Sequence, residues 1–451
     1  MKIVVAGNGK VGLAVCKQLA KENHDITLID NNPIALKEAG MSLDLMTICG
    51  NAASLEIQEQ AKAKNADLFI AATDLDEVNL LCCILAKKLG CKSTIARIRN
   101  PEYRDEIEFL REDLGLSMVI NPERRAANEI IHILELPEFV QRDSFAEGKG
   151  ELVELIVTND SPLCNIALSK VRRELKLNAL ICAINRKNKV IIPTGTTEIL
   201  EGDRISIACA TSEINDLISK LKLSRQPIKK ALIIGGGRIC NYLVPELINS
   251  KVKVKIIEKK KDTCELLADL FPNATIVCAD GSSQSVIESE GLKEYDAVIP
   301  LTGIDEENLI ISMYSNEEGV NKTITKVNRS EYSIMYNKWG IDCTVNPKML
   351  AATDIVRYVR DMDQSRGGSI LTLHNILGGK AEALEFRIPS SFKEANIPFA
   401  DLHFKPNILC ACINRKGKVI IPTGADCIEI GDTIFVITTL DTKITELEDL
   451  F

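Results

Sequence analysis

Three glycines at Gly7, Gly9 and Gly12, in the run G-N-G-K-V-G, stand between the apolar segment KIVVA and a helical stretch. In this setting glycine has a use that no other residue fills. Gly7 permits a tight turn, Gly9 lets the backbone approach a pyrophosphate, and Gly12 lets the helix sit close against the strand. The amides at the helix start then point their unpaired hydrogens, and a partial positive charge, at the anion. Asp30 follows 18 residues after Gly12, at the end of the strand-like DITLID. There its carboxylate can accept both ribose hydroxyls of an adenosine and would repel a 2′-phosphate. That favours NAD-type or adenine nucleotides over NADP.

A second loop, Gly235-Gly236-Gly237-Arg238-Ile239-Cys240, keeps the first two functional glycines and has Glu258 in the place of Asp30. Cys240 replaces the third glycine. Its thiol is expected to push the helix slightly off the strand, weakening the pocket without abolishing it. Lys10 and Arg238 share one slot in the two loops, either reaching a phosphate or standing as solvated surface charges. Asp74, Asp76 and Glu77 are open to two readings in the same way, as a divalent-ion cluster or as carboxylates favoured at a helix start.

Hydride-transfer enzymes use the same fingerprint but also need a proton-transferring group beside the nicotinamide. The chain has four histidines, His24, His132, His374 and His403, and none recurs at the matching place in the other copy. A dehydrogenase is therefore disfavoured. Fifteen cysteines are scattered without a C-x-x-C pair, several inside apolar runs such as LICAI and LCACI. They are expected to be reduced core residues. Cys82/Cys83 and Cys410/Cys412 lack companion ligands for a metal.

The elements that must hold these residues are written twice. INRKNKVIIPTG (184–195) returns as INRKGKVIIPTG (413–424), changed only at Asn188 and Gly417. Around it the order is kept: DITLID answers KVKIIE, ATDLDEVNLL (72–81) answers LTGIDEENLI (301–310), and IARIRNPEY (95–103) answers ITKVNRSEY (324–332). VINP (119–122) answers VNP (345–347), and EGDRISI answers IGDTIFV. A collinear series of this kind indicates an internal duplication. In each copy short apolar runs alternate with helical stretches, the pattern of an α/β doubly wound parallel sheet, here with six strands. Pro122 suits the start of a connecting helix and Pro137 its stop. Shorter β-rich segments follow to about residue 225, closing on the helix INDLISKLKL. SRQPIKK reads as the hinge between copies. PTG followed by Gly202-Asp203 or Gly431-Asp432 reads as turn chemistry in preference to a ligand contact.

At 451 residues the chain is too long for one core. With only 4% aromatic residues its sheets must be filled by Ile, Val, Leu and Ala. A net charge of −8 argues against nucleic acid as a partner. No apolar run approaches the roughly 20 residues of a membrane span, and the start runs straight into a strand without a signal peptide. A cytoplasmic location is expected.

With the fingerprint, ATDLDEVN, IARIRNPEY, the NP-led helix and the PTG…GD tail in order, twice, the chain resembles the TrkA family, cytosolic nucleotide-binding subunits of Trk-type potassium uptake built from two RCK units. The resemblance implies RCK_N domains at 1–121 and 229–346, connecting helices at 122–137 and 347–364, and RCK_C domains at 138–225 and 365–451. It implies that Gly7, Asn8, Gly9, Lys10 and Val11 line a pyrophosphate, that Asp30 holds the ribose, and that Asn51 and Ala52 border the adenine. Thr73, Asp74 and Arg97 would complete the pocket. In the second copy the matching positions are Gly235, Gly236, Gly237, Arg238, Ile239, Glu258, Asp280, Gly281, Thr302 and Lys326. Lys326 departs from Arg97, since lysine cannot form a bidentate fork on phosphate. The implied ligands are NAD(H), ATP or ADP. The implied partner is a membrane potassium-translocating subunit of TrkH/TrkG type, peripheral to which the chain assembles as a tetramer. The same architecture also regulates other potassium transporters and antiporters.

Overall fold

A computed structural model describes residues 1–451 except 23, 147, 188, 224–226, 330–335, 337–338, 342, 365–369, 378–379, 440–443 and 445. The first six strands are β1 (Lys2–Ala6), β2 (Asp25–Asp30), β3 (Met46–Cys49), β4 (Leu68–Ala71), β5 (Ser93–Arg97) and β6 (Met118–Ile120). They form one sheet in the order β3-β2-β1-β4-β5-β6, every pair parallel. This is the six-stranded doubly wound sheet expected from the alternating pattern. Its order reverses between β1 and β4, which places a crevice at the carboxyl ends of those strands. Ile3 to Ala6 and Leu68 to Ala71 are buried throughout, as strands covered by helices on both faces must be.

A helix, Pro122–Glu135, follows β6 and starts at the expected proline. Five antiparallel strands come next: β7 (Gln141–Phe145), β8 (Gly150–Ile156), β9 (Ala179–Arg186), β10 (Lys189–Ile191) and β11 (Arg204–Ala210). Their order is β10-β9-β11-β8-β7. The closing helix is shorter than expected, Ile214–Lys220. Of the expected hinge SRQPIKK, residues 224–226 lie outside the described residues.

The second copy repeats this plan. Strands β12 (Lys230–Ile234), β13 (Lys253–Glu258), β14 (Thr275–Cys278), β15 (Ala297–Pro300) and β16 (Lys322–Thr323) lie in the order β14-β13-β12-β15-β16. The parallel pair β17 (Thr325–Lys326) and β18 (Thr344–Val345) stands where β5 and β6 meet in the first copy. The end of the ITKVNRSEY motif, residues 330–332, is outside the described residues. After the helix Pro347–Gln364 come β19 (Ile370–Ile376), β20 (Ala381–Arg387), β21 (Ile408–Arg415), β22 (Lys418–Ile420) and β23 (Thr433–Thr439), ordered β19-β20-β23-β21-β22. Read from its other edge, that is the topology of β7 to β11. Even the irregularity is duplicated: pairing of β11 with β9 skips Cys182, and pairing of β23 with β21 skips Ala411, 229 residues later.

Contacts divide the chain into two compact units: Met1–Ile131, Lys229–Ser330 and Thr344–Val359 form one, and His132–Ile228, Glu331–Cys343 and Arg360–Phe451 the other. The first therefore gathers both parallel sheets and the second both antiparallel ones. In the second unit the two β-rich parts share a core in which Phe145 stacks on Phe435 at 4.1 Å, beside Cys182, Ala208, Ala411 and Cys412. Glu154, 1% exposed, accepts from Arg204 Nε at 2.7 Å within its own part, and its other oxygen accepts the Leu377 amide at 2.6 Å, a hydrogen bond that crosses between the parts.

The repeated dodecapeptide belongs to this second unit, and its roles are structural. Arg186 forks onto Asp203 at 2.8 and 2.7 Å, and Arg415 onto Asp432 at 3.0 and 2.8 Å. The G-D pairs thus serve buried ion pairs at turns. Lys416 and Gly417 have φ of 51° and 80°, the left-handed backbone of a two-residue hairpin that favours Gly or Asn. Asn188, the corresponding residue, is outside the described residues. All fifteen cysteines are free, and only Cys49 and Cys278 are exposed, in agreement with the reading as core residues.

Candidate nucleotide-binding loops

Strand β1 ends in a turn at Gly7, φ +102°, whose amide donates to Ile29 O at 2.8 Å. A Cβ there would lie 2.8 Å from the Ala72 carbonyl carbon, so the residue is confined to glycine by both conformation and space. Gly9 precedes the helix Lys10–Leu19 in extended conformation and caps it with no side chain, leaving the first-turn amides for a ligand. A Cβ on Gly12 would run into Gly7 O. Lys10 is exposed, whereas Val11 is buried in the first turn.

Asp30 faces this loop from the end of β2. Its Oδ2 accepts the Asn8 amide at 2.6 Å and its Oδ1 the Asn32 amide at 2.8 Å. Each oxygen retains a lone pair for a hydroxyl. Asn8 is anchored by its Nδ2 on Ala35 O at 2.8 Å. Asn51 is exposed and turns the chain by accepting the Ala53 amide at 3.0 Å, while Ala52 is buried in the apolar cluster with Ile29 and Ile48.

Across the crevice, Thr73 is held by a residue that pattern reading passed over. Asn79, fully buried, accepts the Thr73 amide at 2.8 Å and hydroxyl at 2.7 Å and donates to Thr73 O at 3.1 Å and Arg97 O at 2.8 Å. Arg97 donates to Thr73 O and lies 3.6 Å from the exposed Asp74. Burial, then the neighbouring Arg99, lowers its pKa from the usual arginine range. Asp76 accepts the Arg99 and Asn100 amides, both at 2.8 Å, and Glu77 accepts Tyr103 Oη at 2.7 Å. Asp76 and Glu77 thus have hydrogen-bond partners within the fold, while the Asp74 side chain is exposed. Among the described residues no three His, Cys, Asp or Glu side chains are grouped to hold a metal ion.

The second loop reproduces the frame with compensated differences. Gly235, φ +105°, donates to Ile257 O at 2.8 Å. Glu258, one methylene longer than Asp30, accepts the same two amides, Gly236 at 2.6 Å and Lys260 at 2.8 Å. Room for the longer acid comes from Gly236 in the place of Asn8, where a Cβ would stand 3.2 Å from Glu258 Cγ. The Cys240 thiol donates to Gly235 O at 3.2 Å. The regular helix begins only at Cys240, after Gly237, Arg238 and Ile239. Its opening bonds, Cys240 to Gly237 O and Asn241 to Arg238 O, span three residues, a tighter and poorer geometry than the α-helical start at Lys10. The helix thus starts two residues later than its counterpart in the first copy, Cys240 aligning with Gly12. Asp280 is paired with Lys259 at 2.5 Å, which together with Ser282 lowers its pKa to about 2. Gly281 packs against Ile234. Asn308 repeats the work of Asn79 on Thr302 and on Lys326 O, and Lys326 Nζ reaches Thr302 O at 2.9 Å, the carbonyl that Arg97 takes in the first copy. One lysine bond stands in for the arginine.

The loops and carboxylates form two frames of matching geometry, and none of the four histidines belongs to either. His24 faces the Met1 amino group at 3.2 Å, and His374 packs in the second unit against Phe435.

Known proteins resemble this chain over its whole length. The TrkA-N domain model matches residues 3–122 and 231–347, and the TrkA-C domain model matches residues 152–222. The Trk system potassium uptake protein TrkA homolog 1 of Methanosarcina mazei is 31% identical over 462 residues, covering all of both chains. The TrkA homolog of Archaeoglobus fulgidus is 31% identical over 451 residues, again covering both. TrkA of Vibrio alginolyticus is 29% identical over 458 residues, all of this chain and 98% of that one. Among solved structures, the GsuK RCK domain superposes with a TM-score of 0.61 at 16% identity, over 98% of this chain and 92% of that one. The GsuK channel bound to NAD gives 0.61 over 98% and 77%. At that identity the likeness is one of fold. With two TrkA-N domains, a TrkA-C domain and full-length relatives at this identity, the chain belongs to the TrkA family.

Proposed function

We propose that the chain is a nucleotide-sensing regulatory subunit of potassium uptake. It binds NAD(H), ATP or ADP in its glycine loops and gates a membrane potassium-translocating subunit of TrkH/TrkG type from the cytoplasmic face. The observation that carries the reading is the pairing, twice, of a helix start that no side chain caps with a carboxylate that accepts an amide of the loop before it, Asp30 from Asn8 and Glu258 from Gly236. The relatives bear the name of a potassium uptake system, and the GsuK structures include a channel bound to NAD and another form bound to ADP. Among the described residues no helix is long and apolar enough to cross a membrane. The frames carry no repeated acid or base, and the ligand acts by being bound. It shifts the arrangement of the halves by its differential affinity, with a coupling of about 1–3 kcal/mol. The chain works as a homotetramer.

Calorimetric titration tests this. Asp30→Ala removes a charged acceptor from the first loop and is expected to weaken adenine-nucleotide binding by about 1.5–3 kcal/mol. Unchanged affinity would remove the first loop from the proposal, and light scattering that reports monomers at every concentration would remove the assembly.

A further inference from the structure

Beside the carboxylate of the second frame stand two thiols where the first copy has one. Strands β13 and β14 pair in parallel with Glu258 opposite Cys278, and the next amide, Ala279, donates to Glu258 O at 3.0 Å. The same carbonyl accepts the thiol of Cys264 at 3.2 Å, from the start of the helix Lys261–Leu270. One backbone oxygen thus has Cys264 on one side and the residue following Cys278 on the other.

The first copy shows which way the strand cysteine points. A Cβ on Gly40, in the helix Pro33–Ser42, would stand 3.6 Å from Thr47 Cγ2, so Thr47 lies on the helix side of β3. Side chains two residues apart on a strand share a face, and Cys49 accordingly lies on that side, its sulfur 4.0 Å from Asn31 O at the turn into the helix. Matched registers, Asp30 opposite Cys49 and Glu258 opposite Cys278, put Cys278 in the same position. The helix residue differs. Cys264 bonds its amide to Lys260 O as Leu36 bonds to Asn32 O, so an apolar side chain takes the place of Cys264 in the first copy. Cys278 is exposed, whereas Cys264 is 7% exposed. Burial, then a hydrogen bond with the Cys278 thiol, pushes the pKa of Cys264 up to about 11. An accessible thiol beside a buried one suits an attacking and a resolving cysteine.

We propose that Cys264 and Cys278 form a reversible disulfide with a small-molecule disulfide as oxidant, and that this bond weakens nucleotide binding in the second frame alone. The Cys278 thiolate attacks one sulfur of the oxidant, forming a mixed disulfide and expelling one thiolate, which takes up a proton. Cys264 then loses its proton to solvent, attacks Cys278 Sγ and expels the second thiolate, which is protonated in turn. Two protein thiols are oxidised and one small disulfide is reduced to two thiols. A sulfur–sulfur bond of about 2 Å is shorter than any contact between unlinked thiols, so oxidation draws the start of the helix toward β14. That turn includes Lys260, whose amide holds Glu258 Oε1 at 2.8 Å. The carboxylate then loses one of the two amides that aim it. The effect on binding rests on the nucleotide role proposed above, whereas formation of the disulfide does not.

The experiment equilibrates the whole chain in reduced and oxidised glutathione buffers, reads each thiol by alkylation and peptide mass spectrometry, and titrates ADP calorimetrically in both states. The parent is expected to link Cys264 to Cys278 in the oxidised buffer, to release them on reduction, and to bind ADP about tenfold more weakly at one of its two frames when linked. Cys49, with Leu36 beside it, is expected to stop at the mixed disulfide. Cys264→Ser is expected to stop there too, at Cys278. Cys278→Ser, at an exposed position, is expected to keep the affinity of the reduced parent at the second frame in either buffer. A parent whose Cys49 takes up glutathione while Cys264 and Cys278 stay unlinked overturns the proposal. A linked parent with unchanged ADP affinity overturns the effect on the frame. A parent that links its thiols yet binds neither ADP nor NADH in either state overturns the nucleotide role and leaves the disulfide standing.

Discussion

Asn79→Ala tests whether the crevice is held by the buried amide between Thr73 and Arg97. In the parent four bonds converge on that side chain, at 2.7, 2.8, 2.8 and 3.1 Å. After truncation Thr73 O retains the Arg97 guanidinium and the Thr73 hydroxyl retains Leu75 O. The Thr73 amide and Arg97 O lose the partners that Asn79 provided. Stranding a buried polar group costs about 1–3 kcal/mol, so two of them cost about 2–6 kcal/mol, toward the lower end if water enters the space. At about 2–4 °C per kcal/mol for a body of this size, the melting of the nucleotide unit should fall by about 6–12 °C at a loss of about 3 kcal/mol. Differential scanning calorimetry reads the shift, and titration with NADH reads the accompanying loss at the first loop. Asn308→Ala should behave alike, since it removes the corresponding bonds to Thr302 and Lys326 O. A variant that melts within about 1 °C of the parent and binds as before would show that the amide bears no such load.

Two further outcomes follow from contacts elsewhere in the fold. Glu154→Ala leaves the buried Arg204 without its carboxylate and frees the Leu377 amide, and should destabilise the second unit by about 3–5 kcal/mol in urea titrations. Joint replacement, Glu154→Leu with Arg204→Met, should recover most of that loss, and a double variant as unstable as the single one would contradict the account. Cys240→Gly should let the helix of the second loop begin earlier and raise nucleotide affinity there several-fold, while removal of a fully buried side chain lowers stability by about 1–2 kcal/mol. Unaltered second-loop affinity would show that the thiol does not limit the site.

Much of this arrangement is legible in the chain because it rests on local backbone demands. Gly7 and Gly235 are confined by φ and by a neighbouring carbonyl, Pro122 suits a first helical position, and apolar runs of strand length between helices imply parallel strands. The collinear repeats disclose that whatever one copy builds, the other builds too. The features that escaped depend on distant partners. Asn79 stands in a helix among residues of both characters, where an amide resembles a solvent-facing position, and its bonds to Thr73 and Arg97 O exist only once β4 and β5 lie side by side. The exchange of Asn8 and Asp30 for Gly236 and Glu258 reads as two unrelated departures until the longer acid is seen filling the space the missing side chain leaves. The Glu123 and Lys348 difference is visible in the aligned N-P motifs, yet one charged neighbour of each comes from the opposite copy, Lys326 for Glu123 and Lys10 for Lys348.

That last difference bears on why two copies share one polypeptide. A pair of identical subunits must place the same residue at both ends of its symmetry axis, so a lysine gained on one side is gained on the other and any benefit is doubled or cancelled. Covalent tandem linkage lifts that restriction. With Asn121 and Asn346 still serving as matching caps, the residue two places on was free to become acidic in one copy and basic in the next, giving the chain the chemical individuality of a heterodimer with a partner ratio that can never vary.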